Sequence, residues 1–444
     1  MLYFGALLGA GLLFAGVNVF AAPAPPSLAG HWEGTLLEHE RRLPIRFDFT
    51  PYGKAFKGRF SVDRWRVMDY PLGAVKLTGD QVRFALGDDA FTGTLRGTAV
   101  TGSFSGDDGS GTFEVRHVAG TPLPYDAIPV HFRNGTVTLS GTLAMPRARG
   151  RHAAVVLVQG SGPEIRWGTN RFIADRFARA GIAALVYDKR GAGESSGEWQ
   201  TASFEDLARD ALAGVALLDA RPDIDASRIG IHGHSQGAIV APLAASIAPQ
   251  HVAFIVAEDS AAERVRDQDL YRVTNEIKAK DWPSEDKKKA LTMYALFLDV
   301  ISGDKPYADL ETAAAPVKNE RWFTSLGLPP KTDAVWSWYP KQANYDMRTA
   351  WRGVTHPVLL VYGERDKLVP VDESIGRIED ILDASHVAYT ALIVPRAEHN
   401  LTVHPQAGEP FFWWRAAPGL IDTVVAWVKS CTDSGGVCAS RPRP

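Results

Sequence analysis

Between residues 28 and 118, apolar and polar residues alternate in short runs. Leu43-Pro44-Ile45-Arg46-Phe47-Asp48-Phe49, Gly58-Arg59-Phe60-Ser61-Val62 and Gln81-Val82-Arg83-Phe84-Ala85-Leu86 are examples. A period of two places one set of side chains on each face of a strand. Phe91-Thr92-Gly93-Thr94-Leu95, Val100-Thr101-Gly102-Ser103-Phe104 and Gly111-Thr112-Phe113-Glu114-Val115 continue the pattern. Gly, Asp and Pro separate the runs at intervals of roughly 10 residues. Residues 28–120 are therefore expected to form a small all-β, antiparallel domain, a barrel or a sandwich. Such a domain either binds a ligand or serves structure and assembly; its sequence holds no constellation of catalytic residues.

From Val130 the texture changes to apolar strands alternating with amphipathic helices, which predicts βαβ units and a mostly parallel sheet. Strands are expected at 155–158, 228–232, 251–257, 357–363 and 388–394, with helices over 170–180, 204–220 and 238–245. Between Ala257 and Pro357 lie about 100 residues, far more than one crossover needs. They are charged and helical, with helices expected over 261–280 and 284–302, the second capped by Ser284 after Pro283. This stretch, about 260–350, reads as a cap inserted over the carboxyl edge of the sheet. Its Trp322, Phe323, Trp336, Trp338, Tyr339 and Trp351 serve either a core of its own or an apolar pocket. Phe411-Phe412-Trp413-Trp414 poses the same choice.

At the amino terminus, Leu2 through Phe20 are almost wholly apolar, and Val19-Phe20-Ala21 fits signal-peptidase cleavage before Ala22. Residues 1–21 are expected to be a signal peptide and 22–27 a Pro-rich linker; the alternative is an uncleaved anchor of about 20 residues. Either way the chain is exported, to the periplasm or beyond, with no stable span once the signal is removed. The apolar segment contains no cysteine, which argues against a lipid-anchored precursor. The tail, 431–444, holds both cysteines, Cys431 and Cys438, separated by six residues that include Gly435-Gly436. In an oxidising compartment they are expected to pair. Two cysteines with no neighbouring histidine make an incomplete metal site. A net charge of −3 from 48 basic and 51 acidic residues gives no large field, so no nucleic-acid partner is expected; the oligomeric state stays open.

The candidate chemistry starts at Gly233-His234-Ser235-Gln236-Gly237, between the strand Arg228–His232 and the helix Ala238–Ala245. Small residues around a serine permit the sharp strand-to-helix turn that lifts a hydroxyl above a sheet edge. A serine hydroxyl is a weak nucleophile at neutral pH and needs a base, with a carboxylate to orient that base. On this architecture the chain order is Ser, acid, His. Asp366, in the loop after the strand Pro357–Gly363, is the candidate acid, and Asp259 is its substitute. His399, after the strand Ala388–Val394, is the candidate base. Of its rivals, His404 lies farther from the strand end, His386 precedes the strand, and His234 adjoins the serine too closely. Two backbone N–H groups must face the oxyanion. Gln236 supplies one, and the loop Gln159-Gly160-Ser161-Gly162-Pro163 the other, from Ser161 or, next, Gly162. A plain Gly-Pro turn is the competing reading of that loop.

Together with Tyr187-Asp188-Lys189-Arg190-Gly191-Ala192-Gly193-Glu194-Ser195, these motifs resemble the α/β-hydrolase superfamily. The similarity covers residues 128–430 and is to its serine-aminopeptidase-like and bacterial esterase branch, with an extra amino-terminal β-domain. The Gln159–Pro163 loop departs from the His-Gly of many relatives. The resemblance implies an α/β fold with a mostly parallel sheet and a helical cap. It further implies a Ser235, His399, Asp366 serine hydrolase acting on a small acyl substrate without cofactor. Asp188 and Arg190 are expected to fix loops beneath the site. Ester cleavage is the first expectation. Aminopeptidase-type amide cleavage is second and requires a carboxylate, such as Glu258, Asp259 or a cap acid, to hold an amine. A non-catalytic binding protein on the same fold is third, although all three reactive residues are present in order.

Overall fold

The computed structural model describes residues 27–38, 40–107, 109–407, 414–433 and 438. The expected signal peptide, residues 22–26 of the Pro-rich linker, and Phe411, Phe412 and Trp413 lie outside the described residues. Among the described residues no helix is long and apolar enough to cross a membrane.

The alternating runs become nine antiparallel strands: β1 (Gly30–Glu38), β2 (Arg41–Tyr52), β3 (Ala55–Val62), β4 (Val67–Pro71), β5 (Lys76–Thr78), β6 (Gln81–Leu86), β7 (Asp89–Arg96), β8 (Ala99–Gly106) and β9 (Gly109–Val118). They form one sheet in the order β4-β3-β2-β1-β9-β8-β7-β6-β5. It curls into a half-barrel, and Phe56 of β3 pairs with Val75 just ahead of β5. The inward set of each run fills the interior. Phe47 has the rings of Phe49, Phe60, Phe84, Phe91 and Phe113 at 5.1 to 6.3 Å. These side chains belong to one core cluster that also includes Trp32, Leu43 and Val115. Gly102 lets Phe113 lie across the sheet, since a Cβ there would meet the Thr92 carbonyl at 2.1 Å and the Phe113 ring at 2.9 Å.

Eight further strands form a second sheet: β10 (Tyr125–Asn134), β11 (Val137–Pro146), β12 (His152–Val158), β13 (Ala183–Tyr187), β14 (Ile224–His234), β15 (Ile255–Glu258), β16 (Val358–Gly363) and β17 (Tyr389–Val394). Their order is β10-β11-β13-β12-β14-β15-β16-β17, parallel from β13 onward. Every residue of β12 is buried, and the two faces alternate: Ala154, Val156 and Val158 enter one core, Ala153, Val155 and Leu157 the other. A strand apolar on both faces has to be covered on both sides. On the first face lie α2 (Phe204–Asp219), α3 (Gln236–Ile247) and α10 (Val371–Ala384); on the second lie α1 (Thr169–Arg179) and α11 (Leu420–Asp433). In the last turn of α11, Cys431 is disulfide-bonded to Cys438.

Between β15 and β16 the expected insertion forms α4 (Val265–Ala279), α5 (Ser284–Ile301), α6 (Tyr307–Ala314), α7 (Arg321–Thr324), α8 (Val335–Ala343) and α9 (Arg348–Trp351). Trp322 is buried in a core of its own with Phe297 and Leu298, and Phe323 and Trp336 pack against it. Trp351 instead is fully buried against the sheet. Three expected boundaries are corrected. β15 starts at Ile255, because Pro249–His251 forms a short 3-10 turn. α4 starts at Val265, because the chain before it pairs with the segment 345–347: Met347 N–H donates to the Glu263 carbonyl and Val265 N–H to that of Tyr345. Ser284 is the first helical residue and Pro283 holds the cap position, with no side-chain cap bond.

The half-barrel docks on the α1 side of the second sheet. Met68 and Gly168 exchange backbone hydrogen bonds of 3.2 and 2.9 Å. Arg59 stacks over the Trp167 ring at 4.0 Å, and Arg171 Nε donates to Asp69 at 3.1 Å. Arg171 is only 2% exposed, so its charge has no solvent to fall back on. Burial in turn pushes the Asp69 carboxyl up, with Arg171 opposing. Removing one member of such a pair strands the other. Arg171→Met is expected to lower stability by about 2 kcal/mol, and Asp69→Asn, which leaves the more deeply buried Arg171 without its counter-charge, by at least as much. Denaturant unfolding checks this; an unchanged midpoint for Arg171→Met would refute the coupling.

Candidate active site

β14 runs into α3 through a turn at Ser235, whose backbone sits at φ 55° and ψ −116°. A non-glycine residue there is strained and persists only where its surroundings leave no alternative. Here the surroundings are tightly packed: a Cβ on Gly233 would lie 2.0 Å from the Gly237 carbonyl oxygen, and one on Gly237 2.3 Å from that of Val158. Only glycine fits at either place. Ser235 N–H donates to the Glu258 carbonyl at 2.8 Å, which fastens the turn to β15.

The structure brings Ser235, His399 and Asp366 together from three separate loops. Asp366 Oδ2 is 2.7 Å from His399 Nδ1; a carboxylate only accepts, so Nδ1 carries the hydrogen. That leaves Nε2 to accept from the Ser235 hydroxyl at 2.9 Å. Asp366 is held by the N–H groups of Leu368 and Val369, at 2.7 and 3.0 Å to its other oxygen. Arg365 N–H donates to the Ala397 carbonyl at 2.8 Å, and a Cβ on Gly363 would strike the carbonyls of Ala397 and Glu398. The acid and histidine loops are thus packed backbone to backbone.

The rival residues take other partners, although Asp259 lies close to Asp366 and His399. Asp259 is fully buried and accepts from Gly363 N–H at 2.9 Å. Burial and the nearby Asp366 charge push its carboxyl well up. His234 Nε2 donates to the His399 carbonyl at 3.2 Å, so it supports the base from behind. Loss of solvent, and then His399 itself, brings the His234 ring down to about 4. His404 pairs with Glu398 at 3.2 Å, and His386 lies in the turn ahead of β17.

Ser161, Gly162 and Gln236 line the same cavity as Ser235. The loop carrying Ser161 is tied down from below: Gln159 Nε2 donates to the Tyr187 carbonyl. Lys189 Nζ donates to the Gly160 carbonyl and, at 2.9 Å, to Gln236 Oε1. Burial brings Lys189 down to about 8, with Glu164 opposing. Asp188 accepts from Arg166 N–H and Nη1 at 2.8 and 2.7 Å, and Arg190 Nε donates to Asp210 at 2.7 Å. Asp188 and Arg190 therefore hold loops, as expected. Lys189 and Arg166 were not singled out from sequence. The signal for Lys189 was its place between two anchors in the Asp188–Ser195 turn.

Two cavities flank this arrangement. One, of about 220 Å³, lies beneath the cap and is walled by Ser235, Gln236, Ile239, Trp199, Trp338 and Tyr339. Among the cap aromatics, Trp338 and Tyr339 thus face the site. The other, of about 500 Å³, lies where the half-barrel meets the His399 loop and includes Trp65, Arg66, His234, Glu398 and Trp414. Ser235 is not in its wall, so the larger space is not where the hydroxyl points.

A model described as "Alpha/beta hydrolase family" matches residues 155–410. Esterase EstD of Thermotoga maritima is 33% identical over 129 residues, 27% of this chain. The match spans 31% of the length of that curated relative. Among solved structures, an esterase from Pyrococcus furiosus is similar with 19% identity over 63% of this chain and 87% of its own, at a TM-score of 0.42. A dienelactone hydrolase from Anabaena variabilis is similar with 18% identity over 68% of this chain and 94% of its own, at 0.39.

The contact between Gly237 and the Val158 carbonyl sets the position of the turn. Gly237→Ala is expected to destabilise the fold by about 2 kcal/mol or more, read as a fall in the thermal unfolding midpoint. An alanine variant as stable as the parent would show that the turn is not sterically locked.

Proposed function

Because the chain belongs to the Alpha/beta hydrolase family, we propose that it is an exported serine hydrolase that cleaves a carboxylic ester through an acyl-enzyme. The observation that carries the reading is the hydrogen-bond chain from Ser235 through His399 to Asp366, 2.9 and 2.7 Å long. Ser235 Oγ attacks the carbonyl carbon as His399 Nε2 takes its proton. Asp366 keeps the ring in the tautomer that can accept and steadies the imidazolium that forms. The N–H groups of Gln236 and Ser161 receive the oxyanion. The C–O bond to the alcohol then breaks, and His399 delivers the proton to the leaving oxygen. Water, activated by the same histidine, releases the acid. Apart from that water, each step uses protein groups, and the mechanism as written calls on no cofactor.

Ester cleavage is favoured over aminopeptidase activity by the state of the nearby acids. An amine-binding site needs a carboxylate with acceptor capacity to spare. Asp269, in the cap, already accepts from Arg272 at 2.6 Å, from Tyr294 at 2.9 Å and from Tyr339 at 3.3 Å. Asp259 lines the Ser235 cavity, with no hydrogen-bond partner for Oδ2 among the described residues, but is disfavoured as an anion, and Glu258, 3.2 Å from His232, lines the other cavity and not that of Ser235. We place the chain in the bacterial esterase branch with an amino-terminal β-domain. The Cys431–Cys438 bond supports export to an oxidising compartment.

Ser235→Ala is expected to reduce turnover of short p-nitrophenyl esters by about a million-fold and to abolish labelling by a fluorophosphonate. Asp366→Asn should cost about ten-thousand-fold, through the wrong histidine tautomer. Near-normal hydrolysis by Ser235→Ala would falsify the assignment. Aminoacyl p-nitroanilides, assayed alongside, should be poor substrates. Lys189→Met is expected to lower kcat about tenfold with little change in KM, since it loosens donors without touching substrate; unchanged kcat would separate Lys189 from the oxyanion loop.

A further inference from the structure

The 500 Å³ cavity between the half-barrel and the His399 loop is of ligand size. Its wall is built from both domains and adjoins the reacting atoms. Gly160 and His234, which line it, directly precede Ser161 and Ser235, which line the cap cavity. Glu398 and Asn400, also in its wall, flank His399. The cap cavity thus lies beside the nucleophile and its donors, while the interface cavity is walled by the chain neighbours of Ser235 and His399 but by neither of those two residues. An alcohol too large for the cap cavity has this second space next to it.

The composition of the wall says what kind of alcohol. Arg66 follows the short 3-10 turn Asp63–Trp65 with φ 53°, a left-handed backbone that is unfavourable for arginine. Its side chain is 96% buried by the measure of its 4% exposure, and its Nη2 has no hydrogen-bond partner among the described residues. A buried donor left unpaired is unfavourable, and an apolar ligand would leave it so. An anion would satisfy Arg66 but would also face the carboxylates of Glu164, Glu258 and Glu398 in the same wall. A cation would suit those acids and meet Arg66. Hydroxyl groups both donate and accept, so a polyhydroxylated ligand matches donors and acceptors together. Asn170, which also lines the cavity, offers both functions as well. Trp65 and Trp414, both in the wall, stack at 5.3 Å with 17° between their planes, and an outer face of such a pair suits the C–H face of a pyranose ring.

We propose that this cavity is a leaving-group subsite for a sugar or closely related polyol, so that the substrate is an acylated carbohydrate. The proposal rests on the ester-hydrolase reading above. In the step it concerns, the acyl carbon–oxygen bond to the sugar breaks and the proton first taken from Ser235 passes from His399 to the sugar oxygen. The acyl group stays on Ser235 until water removes it. The half-barrel thereby supplies substrate contacts through Trp65 and Arg66.

Two measurements test this with the full chain. In the first, Ser235→Ala is mixed with methyl glucopyranoside or methyl xylopyranoside and binding is followed by saturation-transfer NMR. Transfer to the sugar protons is expected, lost in the added variant Trp65→Ala and kept in Trp65→Tyr. No transfer with Ser235→Ala, or transfer indifferent to Trp65→Ala, overturns the subsite. In the second, kcat/KM for 6-O-butyryl methyl glucopyranoside is divided by that for hexyl butyrate. Trp65→Ala is expected to lower this ratio about tenfold, equivalent to about 1.4 kcal/mol, with Trp65→Tyr close to the parent. An equal loss on both esters would make Trp65 a domain-docking residue only and overturn the proposal. Sugar binding without turnover of either ester would instead defeat the ester-hydrolase reading and leave the sugar site standing.

Discussion

The geometry of the site depends on one steric constraint, the absence of room for a side chain where α3 begins. Gly237 presses on the carbonyl of Val158 and Gly233 on that of Gly237. With those contacts made, the backbone of Ser235 has no relaxed conformation available and is held at φ 55°. The same contact joins the end of β12, from which the Ser161 loop leaves, to the turn that carries Ser235. The proposed nucleophile and both proposed oxyanion donors are consequently held by one backbone junction, and Lys189 braces it by bonding to the Gly160 carbonyl and the Gln236 side chain. Preorganised donors are effective because they need not move as charge develops.

Around that junction the interior is unusually charged. Glu258, Asp259 and Asp366 follow one another across the ends of β15 and β16, with His232, His234 and His399 facing them. Buried carboxylates are tolerated when each has a partner or gives up its charge. Asp366 has His399 and two backbone N–H groups, and Glu258 has His232. Asp259 lies beside Asp366 without a cation of its own, and its carboxyl is pushed toward the neutral form. The Arg66 guanidinium, contributed by the half-barrel, favours the charged form of both Glu258 and Asp259. The amino-terminal domain thus contributes a cation to the wall that Glu258 also lines.

Much of this was legible in the residues themselves. Alternation at period two marked the strands of the half-barrel, and doubly apolar strands such as β12 marked a sheet covered on both faces. Both follow from local geometry, because side-chain direction is set by the residue's own backbone. The order of Ser235, Asp366 and His399 at the ends of successive strands followed from the same reasoning, since strand ends on a parallel sheet converge at one edge. The boundaries that differed, at Ile255, Val265 and Ser284, lie where backbone groups found partners distant in sequence or where proline removed a donor.

What only the tertiary structure decided is which side chains meet. Sequence could not apportion the cap aromatics, because a tryptophan in a core and one lining a pocket have the same apolar signature. Folding assigned Trp322 and Trp336 to the cap core, Trp351 to the sheet and Trp338 to the site, with Tyr339 shared between the cap core and the site. Nor could it connect Trp65 and Arg66 with His399, more than three hundred residues away along the chain. That proximity arises from the docking of two separately patterned sheets, through Arg171 and Asp69 and the Met68–Gly168 pairing. Local periodicity determines the elements and the chain order of the reactive groups. The contacts between distant surfaces, which depend on shape and burial across the whole fold, decide what those groups face.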